Sequence, residues 1–214
     1  LCALLLLSCK KETASDAANK AHREAERTAA ILESPDRDEW QKPDAVVEAL
    51  RLKNGDVVAD IGAGTGYFAR RFAEKVAPKG VSIGYDINAT MVEYMQRDAN
   101  ARHLVDSYKA HLIGSHNPVL EDNYYDLIFF CNTYQHLENR ISYFKSLKKS
   151  LKKNGRIVVI DFETLDKTDE ESGEVPENLV DKKVVINEFK KAGFTLKQDR
   201  NFLPSQYFLE FTRK

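Results

Sequence analysis

The chain of 214 residues is short of several things at once: it has one Trp, two Met, three Cys and six Pro. Cys2, Cys9 and Cys131 cannot build a disulfide framework, and the last lies in an apolar run that reads as a strand. An excess of either charge is missing too. With 32 basic and 33 acidic residues the formal charge is -1, so no global field recruits nucleic acid, which is excluded as an expected partner. The five histidines, His22, His103, His111, His116 and His136, lack the Cys or carboxylate spacing of a metal site, so no metal is expected. No internal repeat is visible, nothing sets an oligomeric state, and no apolar run is long enough to span a membrane. What remains, at 43% hydrophobic and 30% charged residues, suits one α/β domain with an extension.

The stretch Val57-Val58-Ala59-Asp60-Ile61-Gly62-Ala63-Gly64-Thr65-Gly66-Tyr67-Phe68 organises the rest. It reads as a buried strand that ends in an acidic residue, turns on glycine and enters a helix. Glycines on alternate positions open dihedrals closed to other residues and let a ligand reach the main chain at the helix N-terminus. The dinucleotide fingerprint fails, because its third small residue would fall at position 67, which is Tyr. A phosphate loop fails as well, since no Lys-Ser/Thr pair follows. The pattern left is D-x-G-x-G-x-G, and a second predicted strand, Gly80 to Asp86, ends in another acidic residue about 20 residues beyond the loop.

This pattern resembles motif I of the class I methyltransferases that use S-adenosylmethionine (SAM). The resemblance covers about Arg37 to Thr212 and implies a doubly wound, mostly parallel seven-stranded α/β sheet with a C-terminal antiparallel hairpin. It implies SAM as cofactor, with the methionine part at Asp60, Gly62, Gly64 and Gly66 and the ribose at Asp86. The adenine contact would come from the loop after strand three, where Ser115 and His116 are the candidates. Glu121 to Cys131 resembles the family's E-D-N-x-F-D-L-[IV] stretch and reads as the fourth strand, with Asn132, Tyr134 and His136 following it. In open α/β sheets ligands sit beyond the carboxyl ends of the strands, so these three, with Tyr67 and Asp161, should face the methyl group. Asn132 is assigned to the cofactor, and His136 and Tyr134 are the catalytic candidates. His136 is the base of choice, because an unperturbed imidazole titrates near neutral pH.

The remaining segments frame that domain. Leu1 to Leu7 suits the h-region of a signal peptide, and Leu6-Leu7-Ser8-Cys9 resembles a bacterial lipobox. The expectation is a signal segment over 1–9, a tether and N-terminal helix over 10–34, and a SAM-dependent methyltransferase domain over 35–214. Membrane attachment is expected only through a lipid anchor at Cys9. Arg37-Asp38-Glu39-Trp40-Gln41-Lys42-Pro43 resembles the R-D-x-W-Q-x-P lead-in of a bacterial methyltransferase subgroup; Arg37 or Trp40 would close over the pocket, or Trp40 would dock the N-terminal helix. Met91 and Met95 are expected in the core. The spacing predicts a helix from Leu137 to Leu151, with Lys152-Lys153-Asn154-Gly155 as its C-cap. Glu163 to Asn178 reads as an acidic loop or lid. The function expected is methyl transfer to an unidentified small acceptor, against the alternative of a membrane-tethered module that binds SAM or its demethylated product without catalysis.

Overall fold

The computed structural model describes residues 23, 26–116, 118–163 and 179–214. The expected signal segment, Cys2, Cys9 and His22 lie outside the described residues, as does the expected lid apart from Glu163. Seven strands form one sheet in the order β3-β2-β1-β4-β5-β7-β6. They are β1 (Val57–Ile61), β2 (Val81–Asp86), β3 (Tyr108–Leu112), β4 (Tyr125–Cys131), β5 (Leu151–Phe162), β6 (Phe194–Arg200) and β7 (Gln206–Arg213). The first five run parallel, while β7 lies antiparallel between β5 and β6. This is the expected doubly wound sheet with its C-terminal hairpin.

Helices cover both faces, which is why the central strands are apolar without alternation: Leu127 to Phe130 in β4 are all fully buried. After α1 (26–32) and α2 (Arg37–Gln41), α3 (Pro43–Leu50) and α4 (Ala69–Val76) pack one face through Val46, Leu50, Phe72 and Val76. On the same side α5 (Ala89–Ala101) rests on α4, with Met95 and Ala99 against Ala69 and Ala73. The opposite face carries α6 (Arg140–Leu147) and α7 (Lys182–Lys191), whose Phe144 and Phe189 stack toward Phe211 of β7. Each such ring, fully buried, contributes about 1.5–3 kcal/mol. Among the described residues no helix is long and apolar enough to cross a membrane.

One element differs from its expectation. The helix expected from Leu137 to Leu151 is confined to Arg140–Leu147, and Lys152 to Gly155 belong to β5, which reaches back to Leu151. Pairing explains the exchange: Leu151 is in register with Tyr125 of β4, the register shifts, and Arg156 then pairs with Leu127. The lysines do not cap the helix, and Lys152 instead bonds the Asp126 carboxylate at 2.6 Å.

Candidate cofactor and acceptor site

The site is assembled at the carboxyl ends of β1, β2 and β4, where a parallel sheet leaves its crevice. Gly62 and Gly64 take positive φ angles of 72° and 56°, turning the chain sharply after β1. A Cβ at Gly62 would collide with Thr133, and one at Gly64 would come within 2.8 Å of Leu32. The left-handed backbone favours glycine at both positions, and the Thr133 side chain excludes a larger residue at Gly62. Asp86, at the end of β2, accepts the Gly64 N–H at 2.8 Å through Oδ2 and the Asn88 N–H at 2.9 Å through Oδ1. Asn88, not Asp86, caps α5, accepting the Thr90 N–H at 2.9 Å. The Asp86 carboxylate is therefore fixed at the rim of the glycine turn.

Against this loop lies a cleft of about 370 Å³. Its walls are largely apolar, with Leu32, Ile61, Ile87, Met91, Ile113 and Leu137, and its polar groups include Asp86, Ser115, Asn132 and His136. Met91 is thus both core and cleft wall, whereas Met95 is core alone. Two expected members stand elsewhere. His116 is exposed, with Nδ1 3.4 Å from Glu138, and is not among the cleft residues. Gly66 (φ 82°) sits below the loop, where a Cβ would collide with the Tyr108 hydroxyl and crowd Met95, so its role is to let β3 and α5 approach.

Asp60 lies deeper, 3% exposed, beside a smaller cavity of about 80 Å³ that it lines with Arg37, Gly62, Gly64, Cys131 and Asn132. Burial raises its pKa to about 7, a rise opposed by the nearby Arg37 charge, reinforced by Asp86 and tempered by the Ala69 N–H. Burial likewise drives the Cys131 thiol far above its usual range, making it a packing residue.

On the acceptor side the chain reverses at Asn132, which takes φ 53°, and enters a short 3-10 turn over Tyr134–His136. Asp161, at the end of β5, holds that turn through the Tyr134 N–H at 3.1 Å; burial raises its pKa to about 6, while hydrogen bonds from Phe162 and Tyr134 and the His136 charge oppose the rise. The turn directs His136 to the cleft and Tyr134 away from it. Tyr134 is fully buried, stacks on Phe144 and donates its hydroxyl to Glu188, whose other partner is Arg140. The expectation that Tyr134 faces the methyl group is corrected: its phenol, driven far up by burial, is part of the α6–α7 contact.

The lead-in segment forms a roof that sequence reasoning leaves undecided. Thr28 and Leu32 of α1 line the cleft, and Glu33 binds the Arg70 guanidinium and the Thr65 hydroxyl at the head of α4. Asp38 accepts the Tyr67 hydroxyl, and Trp40 packs on Phe162 with ring centroids 5.4 Å apart. Gln41 donates to Gln206, which donates to the Asn132 side-chain oxygen, so a chain of buried amides ties α2 and β7 to the acceptor edge. Gln41 and Gln206 carry no sequence signal of their own; their use appears only once the sheet order places β7 beside β5. Among the described residues no group of three or more His, Cys, Asp or Glu is placed to hold a metal.

The glycine turn at positive φ, the carboxylate at its rim and the cleft of fitting size suit a nucleoside-bearing ligand such as SAM. Comparison with known proteins agrees. The methyltransferase domain family matches residues 52–200. Phosphoethanolamine N-methyltransferase 1 of Zea mays is 33% identical over 116 residues, which is 54% of this chain and 22% of that protein. The ubiquinone/menaquinone biosynthesis C-methyltransferase UbiE of Francisella philomiragia is 26% identical over 58% of this chain and 48% of its own length. The chain thus spans under half the length of these curated relatives. Among solved structures, a SAM-dependent methyltransferase from Aquifex aeolicus has a TM-score of 0.77 at 23% identity, over 89% of this chain and 97% of that one. A geranyl diphosphate methyltransferase in complex with SAM gives 0.69 at 12% identity, over 87% and 90%; both likenesses concern the fold. The chain carries a methyltransferase domain over residues 52–200 and so belongs to the methyltransferase domain family.

Proposed function

We propose that this protein transfers a methyl group from SAM to a small acceptor held beside His136. The observation that carries the reading is the Asp86 carboxylate bound to the Gly64 N–H at the mouth of the cleft, where two ribose hydroxyls would find a bidentate acceptor. Asp60 and the glycine turn would hold the methionine part, and Ser115 the adenine side. SAM supplies a methyl group already activated on a sulfonium, so the chain's own share is to position the acceptor, exclude water and take up a proton where the acceptor carries one. Leu137 and Leu32 give the cleft apolar walls, and Asp161 fixes the turn that presents His136. A small acceptor is consistent with a relative named for phosphoethanolamine.

The same proposal puts the protein at a membrane, tethered through a lipid on Cys9, because Leu6 to Cys9 resembles a lipobox. The decisive experiment is transfer of labelled methyl from SAM into fractionated extract. Label recovered in a small-molecule fraction supports the reading. Tight SAM binding with no transfer to any fraction would replace it with a tethered binding module.

A further inference from the structure

The buried amides of the roof have a direction, and Arg37 sets it. Arg37, buried on the first turn of α2, can only donate, and its Nε reaches the Gln41 side-chain oxygen at 3.3 Å. With that oxygen taken, the fully buried Gln41 meets Gln206 through its amide nitrogen and donates to the Gln206 side-chain oxygen. Gln206, buried in turn, has its nitrogen left for the next link and donates to Asn132 Oδ1 at 2.5 Å. Reversing any one amide would set donor against donor, so the order runs one way, from Arg37 to Asn132. The last amide opens on the cleft. β4 pairs with β1 so that Phe130 lies beside Ile61, and Asn132, two residues on, stands beside the glycine turn and lines the cleft with Gly62, Gly64 and His136. Its oxygen is taken, and among the described residues nothing accepts from its nitrogen.

We infer that Asn132 selects the class of methyl acceptor: a hydroxyl or carboxyl compound methylated on oxygen, and not an amine or a carbon nucleophile. The inference rests on the methyl-transfer reading and deepens it. An oxygen that gives one electron pair to the methyl carbon still has another for the Asn132 N–H. A neutral amine or a carbanion has one pair only, which the methyl takes, and the hydrogens of an amine need an acceptor that Gln206 already occupies. In the transfer the oxygen forms its bond to the methyl carbon, the pair of the broken carbon–sulfur bond stays on sulfur, and the proton of a hydroxyl acceptor passes to His136. The Asn132 N–H meets the negative charge that the oxygen carries as it loses that proton. Arg37, Gln41 and Gln206 are positioning residues, acting through Asn132.

The test begins with wild-type protein, fractionated extract and SAM carrying an isotope-labelled methyl group, the NMR shift of the product telling which atom received it. Label on oxygen supports the inference, and label on nitrogen, carbon or sulfur overturns it. No transfer to any fraction would remove the methyl-transfer reading itself, an outcome distinct from both. Two variants then test the chain, with the active fraction as acceptor. Asn132→Asp keeps an oxygen for Gln206 and turns the cleft-facing donor into an acceptor. Transfer at limiting acceptor should fall roughly ten- to a hundredfold, while affinity for S-adenosylhomocysteine by calorimetry changes by less than about twofold. Gln206→Met frees the Asn132 amide to turn, so the apparent KM for the acceptor should rise with that affinity again held. Asn132 is only half-buried, so its variant carries the test even if Gln206→Met does not fold. Retained transfer in Asn132→Asp, or an unchanged KM in folded Gln206→Met, would overturn the inference. Parallel loss of S-adenosylhomocysteine binding would overturn it too, by giving the amide to the cofactor.

Discussion

Asp60→Asn should stabilise the ligand-free protein while weakening its hold on SAM. In the wild-type protein burial moves the Asp60 pKa from 3.8 to about 7. A carboxyl whose pKa is higher folded than unfolded favours folding while both states are protonated. That advantage is lost between pH 3.8, where the unfolded chain begins to ionise, and pH 7, where the folded one does. A tenfold change in an ionisation constant is worth about 1.4 kcal/mol, so the rise makes ionised Asp60 cost on the order of 4 kcal/mol at about pH 8. Asn keeps the acceptor for the Ala69 N–H but is itself a buried polar group, which leaves a net gain of about 2 kcal/mol. For a chain of this size that is a rise in Tm of roughly 4–8 °C at about pH 8, shrinking as the pH falls, crossing zero near about pH 5 and reversing toward about pH 4, where only the cost of the buried amide remains. Asp161, raised to about 6 in the same direction, is common to both proteins and cancels. Thermal melts of both proteins from about pH 4 to about pH 8.5 carry the test. A Tm difference that does not change with pH, or a variant less stable at the alkaline end, would refute the electrostatic account of Asp60.

Asp86→Ala removes the bidentate acceptor and also unpairs the Gly64 N–H, so SAM affinity by calorimetry should fall roughly ten- to a hundredfold; an unchanged value would remove Asp86 from the site. Gly66→Ala would drive a Cβ into Tyr108 at a positive φ, and a loss of more than about 2 kcal/mol is expected in urea unfolding, against little change if the loop can shift. His136→Ala should lower kcat by about a hundredfold with SAM affinity and Tm intact if the imidazole takes the acceptor proton; retained kcat would leave it a wall of the cleft. Replacing Cys9 by Ser in the full-length gene should move the protein from the membrane to the soluble fraction, and wild-type protein already found there would end the anchor proposal.

Local signals make the cofactor half of the site legible. The strand-turn-helix around Asp60, the glycines of the turn and the acidic end of β2 are close in sequence, and each follows from backbone sterics. The alternating pattern assigns Gly66 to the ligand, but the side of the loop it occupies depends on Tyr108 and Met95, which arrive from β3 and α5. The acceptor side is less legible. Tyr134 and His136 are two residues apart, and only the 3-10 turn decides which faces the cleft. The end of α6 is misread from sequence because the lysines and Gly155 imitate a helix end, whereas strand pairing with β4 settles the matter. Arg37 and Gln41 are legible as a lead-in and not as a roof, since the Tyr67 ring beneath Arg37 and the Gln206 amide that pairs with Gln41 lie in distant segments.

The amide chain from Gln41 through Gln206 to Asn132 joins residues as far as 165 positions apart. Its middle member lies in β7, so a ribosome must deliver all seven strands of the sheet before the roof can close over the cleft. A nascent chain already holding the glycine turn and Asp86 would have the nucleoside end of its site and lack Gln206. Cofactor occupancy during synthesis should therefore rise in one late step, as β7 slides between β5 and β6 and the roof gains its second support.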